Sequence, residues 1–240
     1  MCRIYNALGW LTTAALFASQ LWLFKDFSID DAFITFRYVR QFVAGNGLVY
    51  NIGERVEGYS NFLWVVLLSP AAALSIDLLT AARVLSVALS VGALLLTYRL
   101  ASASPVPILA PVMLAAYAPF AAWTMGGLET PLFAFLAAAS AYAFIREEER
   151  GHGVASGLLF GLLALARPEG ILFFGLAVIF RLWRLWMNRA AITPADRAGE
   201  ACASGRVQWR PSRQDMLRLI GFAALFIPHF LWRLSYYGQP

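Results

Sequence analysis

Long apolar segments separated by short polar stretches run along almost the whole chain. Eight of them have the composition of membrane helices: residues 7–24, 62–78, 82–100, 105–122, 131–145, 154–166, 171–187 and 216–234. A helix that crosses a bilayer needs about 20 apolar residues, and several of these segments are shorter. The pattern predicts an all-α, polytopic membrane protein whose number of spans depends on which short segments cross.

The composition agrees with this pattern. The chain has 240 residues, of which 60% are hydrophobic and 14% charged, with a mean hydropathy of +0.64. These values exclude an ordinary soluble globular protein. The net charge is +5, but nearly all the cations are arginines at the edges of apolar segments, and Lys25 is the only lysine. We therefore expect contact with the lipid bilayer and no nucleic-acid partner.

The arginines also predict the orientation of the chain. Residues 181–218 contain eight arginines around a polar loop. Positively charged loops stay on the cytoplasmic side, so residues 188–214 are predicted to be cytoplasmic, as is the N-terminus. An even number of spans must then lie between them.

Six spans result under two conditions. Segment 62–78 must be a re-entrant or interfacial hairpin, bent near Pro70. Segments 154–166 and 171–187 must be separate helices, broken at residues 167–170, where proline and glycine flank charged residues.

The last segment, 216–234, adds a seventh span. We predict one module over residues 1–240 with a first extracytoplasmic loop at 25–81 that contains interfacial helices. Separate polar stretches then emerge on the same extracytoplasmic face: Asp30, Asp31, 127–130, 167–170, Tyr236 and Tyr237. Their convergence predicts a functional site there.

The acidic pair Asp30 and Asp31 opens an amphipathic segment. Ser28 followed three residues later by Asp31 matches a capping box, in which Asp31 would satisfy amides at the start of a helix. One narrow apolar stripe contains Ala32, Phe36, Val39 and Val43. The opposite, polar face contains Asp30, Ile34, Arg37 and Gln41. The predicted helix lies along the membrane surface, with Asp30 available as a base and Arg37 as a phosphate contact.

The stretch after this helix is rich in hydrogen-bonding and aromatic side chains. Gly45-Asn46-Gly47 predicts the end of the helix, and residues 48–61 follow as a loop. This composition favours sugar binding, with Glu57, Tyr59 and Asn61 as candidate sugar or acceptor contacts, and Glu169 in the later polar stretch is a fourth candidate. The alternative is a loop that is merely solvated.

Glu129 is a third candidate catalytic acid. It precedes Thr130-Pro131, a typical N-cap and first-turn proline. The alternative to catalysis is therefore stabilisation of the helix dipole.

Arg167 has two interpretations. As a functional residue it would bind a lipid-linked phosphate at the outer headgroup level, because a guanidinium can pair with two phosphate oxygens. Alternatively it is an interface arginine whose local partner is Glu169.

Two further patterns have a structural interpretation. Gly153, Gly157 and Gly161 recur at every fourth residue, which predicts a close helix-packing face. Cys2 and Cys202 are far apart and lack metal-ligand spacing, so we expect neither a disulfide nor a structural metal site.

Residues 30–64 resemble the GT-C superfamily of integral membrane glycosyltransferases that use polyprenyl-phosphate sugars. The resemblance rests on Asp30-Asp31-Ala32-Phe33-Ile34-Thr35-Phe36-Arg37-Tyr38, Gly45-Asn46-Gly47-Leu48-Val49-Tyr50-Asn51 and Gly53-Glu54-Arg55-Val56-Glu57-Gly58. Shorter stretches, at 126–133 and 167–170, resemble the second and third outward loops of the family. The chain is most similar to bacterial members related to the mycobacterial terminal arabinofuranosyltransferase.

This resemblance implies a mechanism. The donor would be a sugar on polyprenyl phosphate, and the family's catalytic aspartate corresponds to Asp30, the first residue of the acidic pair. Arg37, Arg55 and Arg167 would stabilise the leaving phosphate. No cofactor is required, although the adjacent carboxylates could hold a divalent cation. The acceptor would be a glycan, lipid or protein of the cell envelope, outside the bacterial plasma membrane.

Two other functions are compatible with parts of the pattern. A transporter or ion-channel subunit would use intramembrane acids as an ion path, but the charges here lie at the ends of the segments. Members of the family are commonly longer, with further spans and often a C-terminal extracytoplasmic domain. An inactive truncated scaffold or partner subunit is therefore the other alternative.

Overall fold

The computed structural model describes residues 2–190 and 212–238, and this part of the chain is helical and contains no β-strand. It forms ten α-helices: α1 Cys2–Leu23, α2 Asp30–Val43, α3 Phe62–Ala73, α4 Leu78–Leu100, α5 Leu109–Ala116, α6 Ala118–Met125, α7 Thr130–Arg150, α8 Ala155–Ala166, α9 Gly170–Ala190 and α10 Arg213–Tyr237. A short 3-10 helix, Ala101–Ala103, follows α4. The prediction of an all-α protein is confirmed. The predicted cytoplasmic loop 188–214 lies largely outside the described residues.

Three described helices are long and apolar enough to cross a membrane. They span Leu78–Ala103, Gly170–Met187 and Arg213–Tyr237. A fourth crossing is possible if α6 and α7, which bend by 120° at a short break, count together as one span. Helices α3 and α8 are apolar but shorter. The chain is a membrane protein, and the arrangement of seven spans stays a prediction.

The predicted break between α8 and α9 is confirmed. Helix α8 ends at Ala166, Arg167 is extended with φ −155° and ψ 143°, and α9 begins at Gly170. A Cβ atom at Gly170 would lie 2.5 Å from the backbone nitrogen of Ala164. Only glycine allows α9 to start this close to the preceding helix.

Two other apolar segments differ from expectation. Segment 105–122 is divided into α5 and α6 at Tyr117, and Pro119 lies in the first turn of α6, where its missing N–H is harmless. The predicted bend of segment 62–78 at Pro70 is wrong, because α3 continues through Pro70 to Ala73. The proline carbonyl still accepts a hydrogen bond from the Leu74 amide, so the following turn stays helical.

Helix α2 packs on α3 through the apolar stripe that the sequence predicts. Ala32, Phe36 and Val39 are fully buried, whereas Val43 at the end of the stripe is exposed. Trp64 of α3 is also fully buried in this cluster. The amphipathic helix is therefore confirmed, and its polar side is left free to carry chemistry.

Helix α8 meets α10 at a glycine face. A Cβ atom at Gly157 would clash with the carbonyl oxygen of Arg218, and one at Gly161 would lie 3.1 Å from the side chain of Leu225. Both positions confirm the predicted packing face. Gly153 instead precedes α8 and contacts Glu147.

A cluster of charged side chains joins the C-terminal half of α7 to α9 and α10. We call it the Glu147 cluster, and its members are Glu147, Glu148, Arg181, Asp215 and Arg218. Glu147 and Arg218 are both buried, and the Arg218 Nε lies 3.0 Å from Glu147 Oε2. Ser156 donates two further hydrogen bonds to the Glu147 carboxylate. These ion pairs hold the C-terminal end of α7 against α9 and α10. Glu129 lies at the opposite end of α7.

Candidate active site

The polar stretches predicted to converge do meet at one end of the helical bundle. The Ile29 amide, just before α2, donates to the Gly126 carbonyl at 3.2 Å, and Glu129 contacts Arg167. The Tyr237 hydroxyl, at the end of α10, donates to the Leu48 carbonyl at 2.7 Å. We call this end of the bundle the site end.

The centre of the site end is an ion pair. Glu129 precedes α7 and is only 3% exposed, and its Oε1 accepts a hydrogen bond from Arg167 Nε at 2.6 Å. The Arg167 side chain is 32% exposed. The carboxylate is therefore enclosed by protein, while the guanidinium reaches the surface with its two terminal nitrogens unbonded to described residues.

This pair corrects one alternative from the sequence. Arg167 takes Glu129 as its partner, and Glu169 is exposed and makes no ion pair with any described residue. The extended conformation of Arg167 and the following Pro168 direct the chain away from a local pairing. The long-range partner was not visible in the sequence because 38 positions separate the two residues.

Asn61 connects the ion pair to the acidic helix. Its Nδ2 donates to Glu129 Oε2 at 2.6 Å and to the Thr35 hydroxyl oxygen at 3.1 Å. Asn61 and Thr35 are both buried, and no described residue bonds the Asn61 Oδ1. Sequence reasoning missed Thr35, whose one signal was its position one helical turn after Asp31.

A glycine turn holds α2 against the start of α7. Gly127 has φ +89°, and a Cβ atom there would lie 3.2 Å from Ala32 and 3.1 Å from Leu79. Its carbonyl accepts a hydrogen bond from the Trp64 indole at 3.2 Å. Both the backbone conformation and the close approach require glycine at this position.

Asp30 and Asp31 are both exposed at the start of α2. The predicted capping box is wrong, because the N-cap is Ile29 and no side chain caps the helix. The bond from the Ile29 amide to Gly126 holds the N-cap one residue after Ser28, so that α2 begins at Asp30. Neither carboxylate bonds a described residue, and both benefit from the helix dipole.

The two aspartates lie on different sides of α2. Asp31 precedes Thr35 by four positions, so it shares the face that leads to Asn61 and Glu129. Asp30 lies about 100° away from Asp31, nearer to the polar face that carries Arg37. The acidic pair therefore spans the border between the buried network and the exposed surface.

Arg37 and Arg55 each lie on a tyrosine ring. Arg37 Nε donates to the Tyr50 carbonyl at 2.7 Å, its Nη2 donates to Asn51 Oδ1 at 2.9 Å, and its guanidinium lies 4.4 Å from the Tyr50 ring centre. The Arg55 guanidinium lies 4.8 Å from the Tyr236 ring centre. Both arginines are exposed.

The remaining predicted sugar contacts bind the loop to α10. Glu57 pairs with Arg233 at 2.6 Å, and the buried Tyr59 lies with its hydroxyl 3.4 Å from that of Tyr237. Burial raises the pKa of Tyr59 well above its usual range, so its hydroxyl stays neutral. The sequence analysis did not single out Arg233, which lies near the end of an apolar helix.

Metal binding has limited support from the side chains. Within residues 2–190 and 212–238, no group of three or more His, Cys, Asp or Glu side chains comes together. Asp30 and Asp31 supply two adjacent carboxylates. A divalent cation would need water or substrate oxygens as its other ligands.

Comparison with known proteins finds two local similarities. A segment of 52 residues is 44% identical to the terminal beta-(1->2)-arabinofuranosyltransferase of Corynebacterium glutamicum, covering 22% of this chain and 8% of that protein. A segment of 68 residues is 40% identical to the protein of the same name from Mycobacterium tuberculosis, covering 28% of this chain and 11% of that protein. No protein-family model and no solved structure matches the chain. The chain thus shares a short segment with two named glycosyltransferases and matches about a tenth of their length.

Proposed function

We propose that this chain is a membrane glycosyltransferase that transfers a sugar from a polyprenyl-phosphate donor to a cell-envelope glycan, lipid or protein. The local similarity to two arabinofuranosyltransferases supports transfer of a sugar. The apolar helices support a donor whose tail lies in the bilayer. The plasma membrane is the proposed location, with the site end on its extracytoplasmic face.

One observation carries this proposal. An exposed acidic helix start and a surface-reaching arginine are joined through Thr35, Asn61 and the buried Glu129. Sugar transfer from a phosphate needs a base for the acceptor hydroxyl and a cation for the leaving phosphate. The site end holds both groups: Asp30 and Asp31 begin α2, and Thr35 of the same helix is joined through Asn61 and Glu129 to Arg167.

Each group has a proposed role. Asp30 accepts the proton of the acceptor hydroxyl, which contributes about 10²–10⁴ in rate. Asp31 completes the acidic pair, and the two together are where a divalent cation would bind. Arg167 binds the leaving phosphate through its terminal nitrogens, because Glu129 occupies the Nε.

Other residues shape the surroundings of the reaction. Arg37 and Arg55 add positive charge beside the same surface, where they would attract an anionic donor. Glu57, Tyr59 and Asn61 hold the loop in place, and Glu169, exposed beside Arg167, is a proposed acceptor contact.

A transporter fits the distribution of charge less well. The ion pairs of Glu129 with Arg167, Glu57 with Arg233, and Glu147 with Arg218 lie near the ends of the helices. An ion path would require charged groups near the middle of the bilayer.

The proposal is tested with the full chain reconstituted in liposomes. The donor is a radiolabelled arabinofuranosyl polyprenyl phosphate, and the acceptor is a synthetic arabinan oligosaccharide. Transfer of label to the acceptor is expected, and Asp30→Asn should abolish it. Absence of transfer from a chain that still binds the donor would favour the scaffold or partner subunit.

A further inference from the structure

The positive charge of Arg167 is partly neutralised by a buried carboxylate, that of Glu129. Glu129 bonds its Nε at 2.6 Å, and Asn61 donates to the other carboxylate oxygen at the same distance. The carboxylate is almost fully buried, so solvent screens it weakly. A phosphate that binds Arg167 from the surface therefore also senses the negative charge behind it.

The proposed reaction changes the charge of the bound phosphate. The bond between the anomeric carbon and the phosphate oxygen breaks, and its electron pair stays on that oxygen. The acceptor oxygen bonds the anomeric carbon, and its proton passes to the Asp30 carboxylate. The donor is a phosphodiester with one negative charge, whereas the released monoester carries about −1.5 to −2 at pH 7.

Arginine alone would hold the product more tightly than the donor, because the attraction grows with the charge of the phosphate. Tight product binding slows turnover, since release is a common rate-limiting step. A carboxylate behind the arginine weakens the attraction for both phosphates, and weakens it most for the more highly charged product.

We propose that Glu129 is a positioning residue that limits the affinity of Arg167 for the released lipid phosphate. This inference rests on the proposed function, because it requires that Arg167 bind phosphate. It assigns Glu129 a role in product release, rather than in proton transfer. Buried within the protein and bonded on both oxygens, Glu129 is poorly placed to reach an acceptor hydroxyl.

The test measures binding of geranylgeranyl phosphate to the full chain in lipid nanodiscs. Geranylgeraniol, which has the same tail without the phosphate, and inorganic phosphate serve as separate probes. Glu129→Gln should bind geranylgeranyl phosphate at least about tenfold more tightly than the wild type, because one buried negative charge close to the bound phosphate is removed at an effective dielectric constant of about 20. Binding of geranylgeraniol should not change.

A double variant shows whether Glu129 acts through Arg167. In Arg167→Gln the affinity for geranylgeranyl phosphate should fall, and adding Glu129→Gln to it should tighten binding far less than tenfold. Glu147→Gln is the matched control, because it removes a buried carboxylate bonded to an arginine outside the site. It should leave both lipid affinities unchanged even if it lowers stability.

The outcomes separate this inference from the proposed function. If the wild type binds geranylgeraniol and its phosphate equally, the phosphate site and the inference both fail. If Arg167→Gln weakens phosphate binding but Glu129→Gln does not tighten it, only the inference fails. Tightening in Glu147→Gln as well would also overturn the inference. Should Glu129→Gln not fold, Glu129→Asp, which retracts the charge from Arg167, should also bind more tightly.

Discussion

Arg167 Nε lies 2.6 Å from Glu129 Oε1, although the two residues are 38 positions apart. The bond ties the residue that precedes α7 to the residue that follows α8. Both helix ends therefore present their polar groups at the same place.

Asp30→Asn should reduce sugar transfer in liposomes by about 10²–10⁴, because the amide cannot accept the proton of the acceptor. Asp31→Asn should reduce it less. Both variants should change the free energy of unfolding by less than about 1 kcal/mol, since neither carboxylate caps the helix. If Asp30→Asn kept near-normal turnover and Asp31→Asn lost it, Asp31, on the face that carries Thr35, would be the base.

Arg167→Lys should raise the KM for the donor about 10- to 100-fold, because lysine keeps the charge but loses the planar pair of donors. The chain should remain folded, since a cation still faces Glu129. Initial rates at varied donor concentration measure the effect. An unchanged KM would show that Arg167 does not contact the donor.

Gly157→Ala should destabilise the bundle by about 1–3 kcal/mol, because the added methyl group meets the backbone of Arg218. Gly175→Ala in α9 is the control, since a Cβ atom there meets nothing within 4 Å. The stability of the two variants is compared by their thermal unfolding temperatures in the same detergent. Equal stability would mean that α8 and α10 separate readily.

Single cysteines test the predicted orientation after replacement of Cys2 and Cys202. A cysteine at Asn46 should react with an impermeant reagent in intact cells. Cysteines at Glu149, beside the Glu147 cluster, and at Gln208, which lies outside the described residues, should react only after permeabilisation. The reverse pattern would place the site end in the cytoplasm.

Asp77→Ala should cost about 0.5–2 kcal/mol, because Asp77 caps α4 by accepting hydrogen bonds from the Thr80 amide and hydroxyl. The Thr80 amide bond lowers the pKa of Asp77 below its ordinary 3.8. The stabilisation is therefore present above that value and is lost as pH falls through the lower pKa of the folded protein. Asp77→Asn should retain most of the cap and lack this pH dependence. Unfolding curves of the three proteins between pH 3 and 7 distinguish these cases.

Local patterns predicted the helices more reliably than their connections. Hydrophobicity located the apolar helices to within a few residues, and Pro168 with Gly170 correctly marked the break after α8. Hydrophobic periodicity does not mark the division at Tyr117, because the segment is apolar on both sides; the local signal is Pro119 in the first turn of α6. Pro70 does not end α3, since one missing N–H does not interrupt an otherwise apolar helix.

The site was predictable as a set of polar residues, but their pairing was not. The topology predicted from the sequence places Glu129, Arg167 and the acidic pair at one end of the chain's helices, where the structure also has them. Nearest neighbours in sequence were the wrong guide to partners, as Ser28 with Asp31 and Arg167 with Glu169 both show. Thr35 and Arg233 were missed because their partners, Asn61 and Glu57, lie on other elements.

The contacts between the 48–61 loop and α10 also constrain the order in which the chain is assembled. Glu57 and Arg233 are 176 positions apart, and Leu48 and Tyr237 are 189 positions apart. A ribosome therefore completes the loop long before it synthesises the helix that holds it. The loop can make these contacts only after α10 has been synthesised, whereas the Glu129–Arg167 pair consists of residues that are made earlier.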